Sequence, residues 1–472
     1  MLSRLLTTAF MAVIFLSGGC AMIPEYTKPE LPVASTWPGE AAATKAKMTT
    51  AEPAAQIAWA SYFFSRPLKM LVARALANNR DLKVALLTIE QARAAYRIQK
   101  SERLPTVSGK TAFTRQGVPE DTSATGKAYT GSTLTANVGL TAYELDFFGR
   151  IKSLNEAALE TYLATEEAAV TTRIALISET ADAYISWLTN KKLLQLARET
   201  CRAHRETYAV IEGKYALGST TRLDLAQAAT SVESAKVSIA QYTRLTAQAK
   251  NAVVLLAGTS VEDIFRMNET IDGIQFQGRL PAGLPAEVLL ARPDIRAAEH
   301  RLKAANADIG AARAALYPTI SLTGAFGLAS DDLSSLFKSG AAWAWSFAPS
   351  LSIPIFNREG LKATLAQAEV GERIAAAQYE KAVQTAFREV ADQLAARGTY
   401  QAQLDAQNAL VDETRKTYTL SRARYQNGID NFLTVLDSQR TLFSAEQSAI
   451  TLKQAYLSNL INLYRVLGGG RI

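Results

Sequence analysis

Side chains able to do covalent or metal chemistry are scarce in this chain. Its 472 residues hold two histidines, His204 and His300, and two cysteines, Cys20 and Cys201. A zinc site gathers about four nitrogen, sulfur or carboxylate ligands, usually closely spaced, and neither histidine has a cysteine or acidic cluster at such a spacing. No Gly-x-Ser-x-Gly element, phosphate loop or dinucleotide fingerprint occurs. Acidic pairs such as Glu166-Glu167 and Asp331-Asp332 lack any pocket signal and read as solvated helix or loop faces. The inventory argues against an enzyme, and no cofactor or metal is expected.

Two groups carry chemistry of another kind. Residues 1–19 place Arg4 before an apolar run from Leu5 to Leu16 and close on Ser17-Gly18-Gly19, the order of a bacterial signal peptide. Cys20 follows as the expected acylated first residue of a lipoprotein, which leaves Cys201 without a disulfide partner. The second group is Leu433, Asp437 and Arg440, on one face of an expected helix. An Asp and an Arg three residues apart form at least a surface ion pair, worth a few tenths of a kcal/mol.

The net charge of +7 is spread along helix faces with no dense Lys/Arg block. Nucleic acid binding is a poor fit, because its footprint would be clustered.

The elements around these residues come in two copies. Thr207 to Gly258 lies over Thr417 to Gly468 at an offset of about 210 residues, matching Tyr215-x-x-Gly218 to Tyr425-x-x-Gly428 and Leu223 to Leu433. A second register, about 213 residues apart, carries Pro105-Thr106-Val107-Ser108 onto Pro318-Thr319-Ile320-Ser321. The expected layout is a signal peptide at 1–19, a proline-broken lipid-anchored tether at 20–60, a first repeat at 61–258, an equatorial linker at 259–284 and a second repeat at 285–472.

Arg150 to Glu212 contains neither glycine nor proline and reads as one helix of about 95 Å. Glu359 to about Arg424 is its counterpart, interrupted only by Gly371 and Gly398. Ile174, Ile177, Ala181, Tyr184 and Leu188 step by three and four, as do Val383, Phe387, Val390 and Leu394, so each helix has a coiled-coil seam. Shorter helices are expected at about Arg66–Arg103, Leu223–Ala257, Pro285–Leu316 and Leu433–Leu467. Gly218 and Gly428 suit left-handed caps where each long helix turns back.

Between the helices lie hairpins at about 105–147 and 318–356. Trp343, Trp345, Phe347, Leu351 and Ile353 alternate with small, mostly polar residues, as do Leu134, Ala136, Val138, Leu140 and Ala142. Such strands fit a membrane-spanning barrel with a wet interior. One chain supplies four strands, whereas a barrel needs about eight to close. The chain must therefore pool strands with copies of itself: two would give eight strands and a filled interior, three would give twelve and a lumen.

Ala291-Arg-Pro-Asp-Ile-Arg296, Ala304-Ala-Asn-Ala-Asp-Ile-Gly310, Tyr317-Pro-Thr-Ile-Ser-Leu322, Ser352-Ile-Pro-Ile-Phe356, Arg424-Tyr-Gln-Asn-Gly428, Leu436-Asp-Ser-Gln-Arg440 and Val466-Leu-Gly-Gly-Gly470 closely resemble the outer membrane factor, or TolC-like, family. The likeness is to its acylated subgroup serving resistance-nodulation-division (RND) pumps, and it runs from Cys20 to Gly470.

The resemblance implies a mixed α and β membrane protein, a homotrimer with a twelve-stranded transmembrane β-barrel and a periplasmic α-helical barrel. It implies a passive efflux duct in the outer membrane of a Gram-negative bacterium, docked to a periplasmic adaptor held on an inner membrane RND transporter. Leu433 and Asp437 match positions that ring the closed periplasmic tip, with Arg440 as partner, and the first copy carries Leu223, Gln227 and Thr230 there instead. Adaptor docking is expected at the turns of Tyr215 and Gly218 and of Tyr425 and Gly428. A protein-secretion duct and a structural periplasmic coiled-coil lipoprotein are the competing readings.

Overall fold

The structure is a computed structural model that describes residues 21–38, 54–277, 280, 285–331 and 342–471. Cys20, the signal peptide and Asp332 lie outside them. In chain order the helices are α1 (Trp59–Tyr62), α2 (Arg66–Asn78), α3 (Arg80–Ser101), α4 (Arg150–Ala216), α5 (Arg222–Ala257), α6 (Glu262–Phe265), α7 (Pro285–Ala291), α8 (Pro293–Ala314), α9 (Arg358–Gln426) and α10 (Phe432–Val466). The strands are β1 (Val107–Val118) and β2 (Tyr129–Leu145) ahead of α4, and β3 (Thr319–Ser330) and β4 (Ala342–Ser352) ahead of α9. Each copy thus contributes two strands, then a long helix folded back on a shorter one. Among the described residues no helix is long and apolar enough to cross a membrane.

The long helices form as their composition demands, with 67 residues in α4 and 69 in α9, and α9 runs through Gly371 and Gly398 without a break. Their seams are buried: Ile177, Ala181, Tyr184 and Leu188 on α4, and Val383 and Val390 on α9, are each at most 1% exposed.

The shorter helices differ from expectation at matched places. The run from Arg66 to Arg103 splits at Asn79, whose extended backbone ends α2. The Asn79 side chain accepts from Leu82 N at 2.9 Å and donates to Leu256 O at 3.0 Å, so it caps the next helix and ties it to α5. The run from Pro285 to Leu316 splits at Arg292, where Pro293 disfavours a helical backbone in the residue before it.

Contacts divide the chain into two compact units that cut across the repeats. One gathers Ile89–Thr165 and Ala297–Tyr379 with the residues before Leu31, and it holds all four strands. Within it the N-terminal segment is pinned to α8. Asn306 donates to Pro24 O at 3.0 Å, Lys28 pairs with Glu299 at 2.6 Å, and Gly310 makes room for Ile23.

The other unit gathers Leu31–Thr88, Glu166–Arg296 and Glu380–Ile472. Its core centres on Tyr62, stacked on Tyr464 at 4.0 Å and on Phe276 at 5.5 Å. Both tyrosine hydroxyls donate to main-chain oxygens, of Leu460 and Ile57, so these large rings are buried without orphaned polar atoms.

The sheet is antiparallel in the order β1-β2-β3-β4. Its register sorts the side chains cleanly. Phe113, Leu134, Val138, Phe326, Leu328, Trp343, Trp345, Phe347 and Leu351 share one face, while Thr114, Thr133, Asn137, Thr323, Ser346 and Ser350 share the other. Two details depart from simple alternation. Leu140 pairs with Gly324 but Tyr143 with Leu322, so Thr141 and Ala142 form a bulge opposite Thr323. Ala142, at φ 49, donates its N–H to Thr323 Oγ1, and the apolar face continues as Tyr143 and Leu145 instead of Ala142. β4 also stops at Ser352, so Ile353 lies just beyond the strand.

Candidate functional site: two helical turns and a charged pair

Each long helix ends in the same turn, built around a basic residue followed by Tyr-x-x-Gly. Gly218 at φ 71 and Gly428 at φ 69 sit in the left-handed region, where glycine avoids the steric cost of a Cβ. Gly218 N donates to Tyr215 O and Ser219 N to Lys214 O. Gly428 N donates to Tyr425 O and Ile429 N to Arg424 O. The bond pattern repeats at matching positions, so the two turns are one motif.

Beyond the turns the two copies diverge. Thr221 caps α5 through a reciprocal capping box with Asp224. Asn431 caps α10 through Thr434 N at 3.1 Å, and a two-pronged ion pair from Arg424 to Asp430, at 2.7 and 2.9 Å, holds that turn from outside.

The two tips also meet. Ile211, Ala228, Phe432, Val435 and Leu436 form a buried cluster joining both hairpins. Lys214 Nζ stands 4.5 Å from the ring centroid of Tyr425, a cation–π contact reaching from the first copy's tip to the second's. Tyr425 is accordingly half-buried, whereas its counterpart Tyr215 is exposed.

Leu433 and its neighbours are arranged otherwise. Leu433 is 46% exposed although Leu436, one turn on, is buried. Asp437 lies 3.6 Å from Arg440, with both side chains open to solvent. Arg440 also acts on the first copy: burial, followed by the positive charge of Arg440, holds the His204 imidazole below its usual range. A groove of about 440 Å³ between α9 and α10 has Arg440 on its wall beside Gln407, Thr414 and Ser444.

Three relationships here were not anticipated: Lys214 with Tyr425, Arg424 with Asp430, and Arg440 near His204. All join residues whose meeting depends on how the hairpins pack or where a turn places its flanks. The spacing of Arg424 and Asp430 about Gly428 was the one local signal available. Both histidines sit on helices but are partly enclosed, His204 near Arg440 and His300 against Glu160. Among the described residues no group of three or more His, Cys, Asp or Glu side chains converges as metal ligands.

The sequence pattern of the outer membrane efflux protein family matches residues 71–259 and 284–469. These two blocks end one residue past Gly258 and Gly468, the last matched glycines of the two copies. The chain belongs to the outer membrane efflux protein family.

Its relatives in the family cover it almost end to end. It is 46% identical to the solvent efflux pump outer membrane protein SrpC of Pseudomonas putida, over 98% of this chain and 97% of that one. It is 42% identical to the outer membrane protein OprJ of Pseudomonas aeruginosa, over 96% and 93%. In structure it resembles the open-state MtrE outer membrane channel of Neisseria gonorrhoeae, with a TM-score of 0.85, 37% identity and coverage of 96% and 98%. As an outer membrane efflux protein it is a pump component of the outer membrane and belongs to no enzyme family.

Proposed function

We propose that this outer membrane efflux protein is the passive exit duct of a tripartite pump, working as a homotrimer. Solvents and antibiotics, named for its relatives SrpC and ArpC, are the cargo class this reading assigns to it. The observation that carries it is the sheet: four strands, one apolar face, one small and mostly polar face, and two free edges among the described residues. In hydrocarbon each unpaired backbone group costs several kcal/mol. Pooling the strands of three chains into a twelve-stranded barrel removes every edge and leaves a lumen.

Trp343, Trp345, Phe347 and Leu351 then face lipid, and Asn137, Thr323 and Ser346 line water. At the helical tip Leu433 and Asp437 of three chains form the closed constriction, with Arg440 restraining each carboxylate. Like charges gathered around one axis repel unless paired, so separating Asp437 from Arg440 favours opening. The exposed turn at Tyr215 and Gly218, the turn at Gly428 and the groove beside Arg440 receive a periplasmic adaptor carried by an inner membrane RND transporter. Acylated Cys20 holds the chain to the membrane, and the segment that follows it is pinned to α8 through Ile23, Pro24 and Lys28.

The test is threefold. Purified protein in detergent crosslinks to a trimer, palmitate labelling is lost in Cys20→Ser, and a deletion strain becomes susceptible to solvents and antibiotics. A monomer in detergent, or unchanged susceptibility, overturns the duct.

A further inference from the structure

One charged side chain breaks the apolar face of the sheet. On β1 that face continues past Phe113 as Arg115 and Gly117, and Arg115 is its single charged residue across the described strands. Arg115 is exposed and forms no ion pair among the described residues. A guanidinium among lipid tails is costly, so a lipid-facing arginine needs either water or an anion within reach of its flexible stem.

Its place along the strand says which. α3 leads into β1 and β2 into α4, while α8 leads into β3 and β4 into α9, so every helix connection lies at one end of the sheet. Arg115 stands near the other end, three residues before β1 stops at Val118, at most about 10 Å along the strand. With the helices in the periplasm, that end meets the outer leaflet, whose lipid A carries phosphates on a sugar headgroup.

The neighbours of Arg115 suit such a headgroup. Ser132 lies opposite it and Thr130 opposite Gly117, placing two hydroxyls on the same face. Gly117 leaves no atom within 4 Å of an added Cβ, so the space beside the guanidinium is open. Toward the helices the face becomes apolar at once with Phe113 and its partner Leu134. The hairpin loop sets Glu120 and Asp121 against Lys127 alone, so it competes poorly for phosphate.

We propose that Arg115, with Ser132 and Thr130, binds a phosphate of lipid A, while Phe113 and Leu134 lie against its acyl chains. An arginine fork matches phosphate through two parallel hydrogen bonds, which a lysine cannot reproduce. This rests on the reading of the strands as part of an outer membrane barrel and goes beyond it by assigning a lipid ligand.

The test titrates lipid A into the purified protein in an uncharged detergent and reads bound lipid by mass spectrometry of the intact assembly. Arg115→Gln is expected to weaken binding about five-fold, Arg115→Lys by less, and Lys127→Gln not measurably. Phosphatidylglycerol, with one phosphate and two chains, binds wild type more weakly than lipid A. Equal binding of lipid A by wild type and Arg115→Gln overturns the site, and equal binding of the two lipids overturns the lipid A assignment. Urea titration in phosphatidylcholine liposomes checks folding, and there Arg115→Gln inserts at least as well as wild type, having lost a charge from the lipid face. Loss of insertion in Arg115→Gln assigns the arginine to folding and also overturns the site. Wild-type protein that does not enter liposomes at all instead overturns the barrel reading.

Discussion

The guanidinium of Arg292 reaches Glu389 Oε2 at 2.8 Å, linking the start of α8 to the middle of α9. The same side chain grips Asp294 at 3.0 and 2.7 Å and donates to Val466 O near the end of α10. The Ala-Arg-Pro-Asp signature is therefore a structural clamp: proline stops α7, and the freed arginine ties three helices together.

Removing that clamp strands two carboxylates. Arg292→Ala is expected to lower stability by about 2 to 4 kcal/mol, short of a fully buried pair because Glu389 and Asp294 keep some solvent. Arg292→Lys recovers only part of this, since an ammonium cannot reproduce the two-pronged grip. Denaturant midpoints of the purified protein read both.

Asp182 supplies a pH prediction. Burial pushes its carboxyl up to about 6, against opposing hydrogen bonds from Ser458 and Asn462 and the charge of Arg465. One of its oxygens is buried with no hydrogen-bond partner. The folded state thus binds the proton more tightly than the unfolded chain. Its favourable contribution is complete below about pH 4 and is lost as pH rises through about 6. Asp182→Asn is expected to stabilise by about 2 to 3 kcal/mol at pH 7.5 and by almost nothing at pH 4, which midpoints measured at the two pH values check.

For the proposed constriction, stability and conductance separate. The Asp437–Arg440 contact is exposed on both sides, so Asp437→Ala changes stability by less than about 0.5 kcal/mol. Ion conductance of reconstituted channels rises in Arg440→Ala, which leaves the three carboxylates of the proposed ring unpaired and mutually repelling. Unchanged conductance in planar bilayers would assign the pair to ordinary helix chemistry.

At the turn, Gly428→Val costs about 1 to 2 kcal/mol from backbone strain, since its φ of 69 is left-handed and no atom lies within 4 Å of an added Cβ. Gly428→Asn costs less, because asparagine visits that region more readily. Thermal unfolding of the two variants tests the order.

On the strands, Trp345→Arg is expected to impair membrane insertion by about 2 to 4 kcal/mol near mid-bilayer, and Ser346→Arg by far less. Urea titration of folding into liposomes distinguishes them.

Local rules made most of this fold readable. The absence of proline from Arg150 to Glu212 and the glycines at 218 and 428 placed the helical hairpins, and period-two alternation placed the strands. The misses share a cause. Asn79 ends a helix because its side chain finds Leu256 O on α5, 177 residues away, and the bulge at Ala142 depends on Thr323 of another strand. Pro293 did carry a local signal for the break at Arg292. At the tips, the turns were legible from Tyr-x-x-Gly, but the contact of Lys214 with Tyr425 was not, because nothing in either segment encodes how the hairpins pack.

The first turn is fastened by a capping box, and the second adds to its Asn431 cap the solvent-facing clasp of Arg424 and Asp430. Dissolved salt screens exposed charge pairs while barely touching hydrogen bonds between neighbouring residues. In a ring of three chains, ionic strength would then slacken every other latch, giving the duct alternating firm and yielding tips that six identical units could not offer.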